Sequence, residues 1–231
     1  MYTVERLKSQ SYKKYARSNL PIKYIDNDIS EFRIIGDNAK QKKRNEEMFN
    51  KFMNYYDNVG EYLKQGRGLY LCGPVGVAKT WLLTHLAKKI IDIFEQENSK
   101  LIEEEQEGNL KEPTMNNFYY IQGTTVGQLI FPSGLNEKEL NIRRGIKTIA
   151  GLWIDDISKI AETKSGHEIS FLDDVIRWRD LNMLPTFYTS QIPFDAIDED
   201  LPGLDKLISK PIHDMIRGNC DILTFVGDSQ R

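Results

Sequence analysis

Gly73-Pro74-Val75-Gly76-Val77-Ala78-Lys79-Thr80 decides the reading of this 231-residue chain. Its spacing is that of a phosphate-binding loop, Gly-x-x-x-x-Gly-Lys-Thr, with Ala78 where the second glycine is expected. Backbone N–H groups of such a loop surround phosphates, and the helix that follows points its positive end at them. Lys79 is expected to reach the β- and γ-phosphates, and Thr80 to place its hydroxyl on Mg²⁺. Alanine at position 78 is acceptable if φ there is negative and costly if φ is above zero.

The flanks supply the context the motif requires. Gly68-Leu69-Tyr70-Leu71-Cys72 reads as a short buried strand, and residues 81–91 carry apolar side chains at helical spacing. Further along, Ile149-Ala150-Gly151-Leu152-Trp153-Ile154-Asp155-Asp156 reads as an apolar strand that ends in two carboxylates. A Mg-nucleotide site needs that feature beside its phosphate loop. Asp155 is expected to hold Mg²⁺, directly or through water, and Asp156 to orient and polarise an attacking water. Leu184-Pro185-Thr186-Phe187-Tyr188-Thr189-Ser190-Gln191 reads as another strand with a polar end, where Gln191 or Ser190 can hydrogen-bond a γ-phosphate or the lytic water.

Residues 117–121 and 221–226 add two more strands. Residues 45–65 read as a helix with Met48, Phe49, Phe52, Met53, Tyr56 and Val59 toward one face. Residues 124–129 read as a helix that Thr124 can cap. Two more helices are expected at 136–147 and 171–181, the second with Leu172, Val175, Ile176 and Trp178 inward. Alternating strands and helices imply an α/β fold, a parallel sheet with helices on both faces. Ligands of such folds bind at the carboxyl edge of the sheet.

Composition sets limits. Apolar residues make up 40% of the chain and the net charge is −3, so charge alone does not mark the whole chain as a polyanion binder. The charge is uneven: residues 1–51 hold 12 Lys/Arg against 7 Asp/Glu, a balance of +5, which leaves −8 on the rest. Lys40, Lys42, Lys43 and Arg44 form one basic run. Lys13, Lys14 and Arg17 form another, with Tyr12 and Tyr15 interleaved, a composition that suits single strands. Residues 95–115 are acidic and read as a solvent-exposed insertion. Two cysteines cannot make a four-ligand zinc site, and three scattered histidines offer no metal spacing. No apolar run is long enough to span a membrane. The N-terminus lacks a signal-peptide core, so a reducing cytoplasm is the expected compartment.

Together these segments resemble the bacterial replicative helicase loaders of the DnaC/DnaI type, AAA+ ATPases related to the IstB helpers of transposition. The resemblance covers roughly residues 17–231. Its carriers are Asn19-Leu20-Pro21, residues 29–32, residues 66–73 leading into the phosphate loop, Ile154-Asp155-Asp156-Ile157, and residues 184–191. It implies a P-loop AAA+ core at 31–231 behind a basic arm or lead-in at 1–30. With the chain stopping at Arg231, no C-terminal helical lid is expected. It implies ATP and Mg²⁺ as ligands, with Gly73 to Thr80 around the nucleotide.

By the same resemblance residues 184–191 form the sensor-1 strand, where Gln191 stands in place of the usual Asn. Residues 212–217 match the arginine-finger region, with Arg217 kept and Met215 at a position that often holds a second arginine. Arg143, Arg144, Arg177 and Arg179 are other arginines that can act across a subunit boundary. The implied partners are a hexameric replicative helicase, single-stranded DNA and further copies of the chain. The implied activity is Mg-dependent ATP hydrolysis. Residues 1–66 are too few for a full helicase-binding domain beside the ordinary lead-in, so a grip on the helicase comes from residues 1–16, from another protein, or not at all. Two alternatives share these motifs. One is an IstB-type ATPase that coats duplex DNA and recruits a transposase. The other is a nucleotide-binding scaffold or inhibitor without turnover, which Ala78, Gln191 and Met215 together motivate.

Overall fold

A computed structural model describes residues 14–15, 17–105, 118–130, 134–161, 166–196 and 202–227. Five strands, β1 (Gly68–Cys72), β2 (Phe118–Gln122), β3 (Gly151–Asp155), β4 (Thr186–Ser190) and β5 (Cys220–Thr224), form one sheet in the order β2-β3-β4-β1-β5. Every pairing is parallel. All five residues of β1 are buried, and so are all five of β4, as expected of central strands covered on both faces.

The period-2 alternation sends side chains into two cores. Leu69, Leu71, Trp153 and Phe187 pack on one face against α1 (Ala39–Asp57) and α3 (Lys79–Glu105). Tyr70, Cys72, Ile154 and Tyr188 pack on the other face. Their partners lie in α4 (Gly123–Gln128), α7 (Gly166–Leu181) and α8 (Lys210–Asn219). Three further α-helices are α2 (Val59–Lys64), α5 (Glu137–Thr148) and α6 (Ser158–Ala161), and short 3-10 turns lie at Ile22–Tyr24, Ile29–Glu31 and Leu204–Lys206. Gly68 is obligatory for the central pairing, because a Cβ there would stand 1.8 Å from the Thr186 carbonyl oxygen. Cys72 lies opposite Ser190, and Gln122 opposite Asp155. This register brings the ends of four strands to a single edge.

The lead-in is tied to the sheet at both sides. The Tyr120 N–H donates to the Ser18 carbonyl at 2.9 Å and Asn19 Nδ2 to the Tyr120 carbonyl at 3.0 Å, which docks residues 18–20 on the outer edge of β2. On the far side, buried Asn45 donates to the Ile35 and Val226 carbonyls at 2.6 and 2.7 Å and accepts from the Val226 N–H at 2.9 Å.

Several expectations are corrected. The helix read over 45–65 is two helices. It begins earlier, where Asn38 caps α1 by accepting from the Gln41 N–H, and it breaks at Asn58. The basic run 40–44 gives that first turn no apolar period, which hides it from a hydrophobic pattern. Tyr55 joins Phe52 and Val59 on the buried face, and its hydroxyl donates to the Arg67 carbonyl at 2.7 Å. Thr124 lies inside α4, whose N-cap is Gln122 without a side-chain bond. In α7, Trp178 is 46% exposed and Arg179 is only 1% exposed. The stripe of Leu172, Val175 and Ile176 continues by helical spacing to 179, not 178. The acidic stretch starts as the last turns of α3, which runs to Glu105, while residues 106–117 lie outside the described residues.

Candidate Mg-nucleotide site

The phosphate loop leaves β1 at Gly73, whose φ is 143° and where a Cβ would stand 2.4 Å from the Phe225 carbonyl oxygen. Gly76 has φ 95° and Ala78 has φ 61°. The residue at the second-glycine position is thus an alanine in the left-handed region, the costly case. The Ala78 carbonyl accepts the first bond of α3, from the Leu82 N–H at 2.9 Å.

Lys79 folds back over the loop. Its Nζ donates to the Gly73 carbonyl at 2.6 Å and the Pro74 carbonyl at 2.8 Å, and the residue is only 8% exposed. Among the described residues no carboxylate forms an ion pair with it. Burial pulls its pKa down to about 8, against the opposing pull of Asp156, Cys72 and Asp155. An ammonium held by carbonyls alone is poised for an anion.

Thr80 and Asp155 meet, Thr80 Oγ1 donating to Asp155 Oδ1 at 3.3 Å. Asp155 also accepts from Thr189 Oγ1 at 2.5 Å through Oδ1 and from the Tyr120 hydroxyl at 3.1 Å through Oδ2. Burial pushes its pKa up, hydrogen bonds from Thr189, Tyr120 and Thr80 oppose that, and neighbouring Asp156 adds to it.

Asp156 follows with φ 56°. Its carboxylate accepts from Ser158 Oγ at 2.5 Å on Oδ1 and from Gln191 Nε2 at 2.5 Å on Oδ2. Ser190, the alternative amide-strand candidate, uses its hydroxyl to accept the Ile192 N–H at 3.1 Å and takes no part in this cluster.

The donor set fits a magnesium nucleotide. The Gly73 turn leaves no room for a Cβ, a lysine without a carboxylate ion pair among the described residues sits over the loop, and a hydroxyl and a carboxylate converge at the start of α3. Mg²⁺ bound beside phosphates takes only one or two protein oxygens and fills its shell with phosphate and water.

The arginines fare differently. Arg179 cannot act in trans. It is buried and donates to Thr186 Oγ1 at 2.8 Å and to the Ile146, Ile149 and Pro185 carbonyls at 3.0, 2.7 and 2.7 Å. Arg143 donates to the Leu129 carbonyl at 2.5 Å and lies over the Phe171 ring, and Arg177 is paired with Asp173 at 2.7 Å. Arg144 is exposed. Arg217 is half-exposed, ion-paired with Asp195, and lies 5.0 Å over the Phe194 ring, whereas Met215 packs against the core.

The basic runs also differ. Lys14 is bound to Asp92 at 2.5 Å and Glu95 at 3.0 Å, and Tyr15 is buried, so neither is free for single strands. Tyr12 and Lys13, with most of residues 1–16, lie outside the described residues. Lys40, Lys42, Lys43 and Arg44 are exposed on the first turns of α1.

Thr189, Tyr120 and Ser158 were not singled out from the sequence. A signal existed for Thr189. Residues at i and i+2 of a strand share a face, so an amide at 191 that reaches the site implies that 189 faces it too.

No family model matches this chain, and no curated protein matches it. Solved structures do. A protein described as a primosome component from Streptococcus pyogenes serotype M3 aligns over 96% of this chain and 100% of its own, at TM-score 0.55 and 17% identity. The DnaC helicase loader aligns over 89% of this chain and 99% of its own, at TM-score 0.58 and 15% identity. The replication initiator DnaA bound to AMPPCP and single-stranded DNA aligns over 89% of this chain and 50% of its own, at TM-score 0.52 and 13% identity. The fold is therefore that of the P-loop AAA+ proteins. In fold, this chain is similar to a helicase loader and to a replication initiator. Among the described residues no helix is long and apolar enough to cross a membrane.

Proposed function

We propose that this chain is an ATP-binding AAA+ factor of DNA replication, helicase-loader-like, that couples ATP binding and hydrolysis to assembly on single-stranded DNA and a hexameric replicative helicase. The observation that carries the reading is the meeting of Lys79, Thr80, Asp155, Asp156 and Gln191 at one sheet edge, on a fold that loaders share. Gly73, Pro74, Val75, Gly76, Val77 and Ala78 form the cradle for the triphosphate. Lys79 exchanges its two carbonyl partners for phosphate oxygens. Thr80 and Asp155 would hold Mg²⁺, which would supply neutralisation of the phosphate charge. Asp156, once released by Gln191 and Ser158, orients the attacking water, and the Gln191 amide turns to the γ-phosphate. Arg217 of one copy, released from Asp195, serves the site of the next. The cytoplasm is the compartment in which such a factor works.

The test is an ATP-dependent pull-down of a replicative helicase and of single-stranded DNA by the purified protein, with Lys79→Ala and Asp155→Ala as controls. Capture that needs ATP and is lost in both variants is the expected result. Capture of neither in the presence of ATP overturns the reading, and duplex-dependent filaments would favour an IstB-type transposition helper.

A specific observation favours a slow version of this enzyme, or a scaffold or inhibitor without turnover. Both Asp156 oxygens are already engaged, by Ser158 and Gln191, and Met215 packs against the core where a second finger arginine would stand. ATP binding without turnover under any DNA condition would select the scaffold.

A further inference from the structure

We propose that Thr189 is the positioning residue that sets both carboxylates of the site, an inference that rests on reading the site as one for a magnesium nucleotide. The pairing of β3 with β4 runs through Ile154 and Tyr188, and β3 ends one residue later. The turn that carries Asp156 therefore needs another anchor, and Thr189 supplies it with three bonds. Its Oγ1 accepts the Asp156 N–H at 2.8 Å and donates to Asp155 Oδ1 at 2.5 Å. Its carbonyl accepts the Ile157 N–H at 2.9 Å.

One hydroxyl thus acts in both directions. As acceptor it holds the backbone of Asp156 in the left-handed region, at φ 56°, where a non-glycine residue persists only when its surroundings over-determine it. As donor it fixes the rotamer of Asp155, the carboxylate that also meets Thr80. Thr189 itself is fully buried on a central strand, so its hydroxyl has no other employment in water. Valine has the same shape and can make neither side-chain bond. Serine can make both. Groups that orient a metal-holding carboxylate typically change metal affinity or activity by about 10- to 100-fold when removed.

The test uses the full chain and a fluorescent ATP analogue, titrated over a range of Mg²⁺ concentrations and in EDTA. Thr189→Val is expected to raise the Mg²⁺ concentration for half-maximal binding by about 10- to 100-fold. Affinity in EDTA, which depends on the loop and Lys79, should change far less. Thr189→Ser should restore the wild-type Mg²⁺ response. A merely structural role would lower both affinities together and would not be rescued selectively by serine. Melting curves report folding, and if Thr189→Val does not fold, Thr189→Ala carries the same comparison. If wild-type protein binds no nucleotide, the site reading itself fails. If wild-type binding responds to Mg²⁺ and the valine variant responds identically, or if wild-type binding ignores Mg²⁺, the role of Thr189 is overturned while nucleotide binding stands.

Discussion

Replacing Ala78 by glycine should stabilise this protein, although the same replacement in a helix would do the opposite. Ala78 has φ 61°, and its carbonyl opens α3 by accepting the Leu82 N–H. The left-handed region costs an L-residue with a Cβ about 1–2 kcal/mol, and glycine is free of that cost. Glycine's extra freedom in the unfolded chain takes back about 0.4–1 kcal/mol. The remainder is about 0–1.6 kcal/mol in favour of Ala78→Gly, with its middle at about 0.8 kcal/mol. For a chain of this size 1 kcal/mol moves the melting temperature by about 2–4 °C, so a rise of about 1–4 °C is expected. The assay is thermal unfolding followed by circular dichroism without nucleotide, with urea unfolding as a second measure. Ala87→Gly is the control, in the interior of α3 and fully buried. There the helix-propensity loss alone is about 1 kcal/mol, in the destabilising direction. Opposite signs at 78 and 87 would support the positive φ. A glycine variant at 78 that melts at or below wild type would refute the reasoning, because it would mean that the loop does not strain its alanine.

Three further outcomes follow from side-chain environments. His85 is buried against Trp81, with rings 4.2 Å apart, and burial followed by the charge of Lys88 lowers its pKa to about 4. The folded form thus takes up its proton later than the unfolded form, whose histidine titrates near 6.5. Stability is full above about pH 6.5 and falls as pH drops toward 4, by up to roughly 3 kcal/mol. His85→Phe should flatten that part of a urea-midpoint-versus-pH profile, and an unchanged slope would show that other groups cause it. Arg179→Met should destabilise the fold by about 3 kcal/mol or more, because four carbonyls and a hydroxyl lose a buried charged donor; a shift under about 1 kcal/mol in urea unfolding would contradict this. Gln191→Asn shortens the arm that reaches Asp156 and should raise basal ATP turnover a few-fold, measured as phosphate release. A fall in turnover would instead show that the length of the arm is needed for hydrolysis.

The fold was legible because its decisive features are local. A buried strand, a glycine loop and a helix at fixed spacing define the phosphate loop, and β3 and β4 announce themselves as apolar runs with polar ends. What stayed hidden depends on register or on polar burial. The start of α1 carries Lys40, Lys42, Lys43 and Arg44, so no apolar stripe marks it, and only the Asn38 cap does. Arg179 breaks the expectation that a core stripe is apolar. Its place is intelligible only once the carbonyls of Ile146, Ile149 and Pro185 converge on it from two other segments. Tyr120 lies 35 residues from Asp155 in sequence, and only the parallel pairing of β2 with β3 brings its hydroxyl to that carboxylate.

Strain also falls at the candidate site. Of the four non-glycine residues with positive φ among the described residues, Ala78 and Asp156 both belong to the candidate site. Asp156 directly follows the last residue of β3, whereas Ala78 ends the phosphate loop and directly precedes α3, and each is held by partners of a different kind. Asp156 is fixed through side chains, by Thr189 behind it and by Gln191 and Ser158 on its carboxylate. Ala78 is fixed by the helix it starts. Relieving the strain at 78 should therefore change stability and leave the carboxylates where they are, because no bond joins Ala78 to Asp156. Removing the hydroxyl at 189 should do the reverse, altering the Mg²⁺ response more than the melting temperature. A site whose two strained residues respond independently in this way has its phosphate cradle and its carboxylate pair built as separate parts, with Thr80 meeting Asp155 between them.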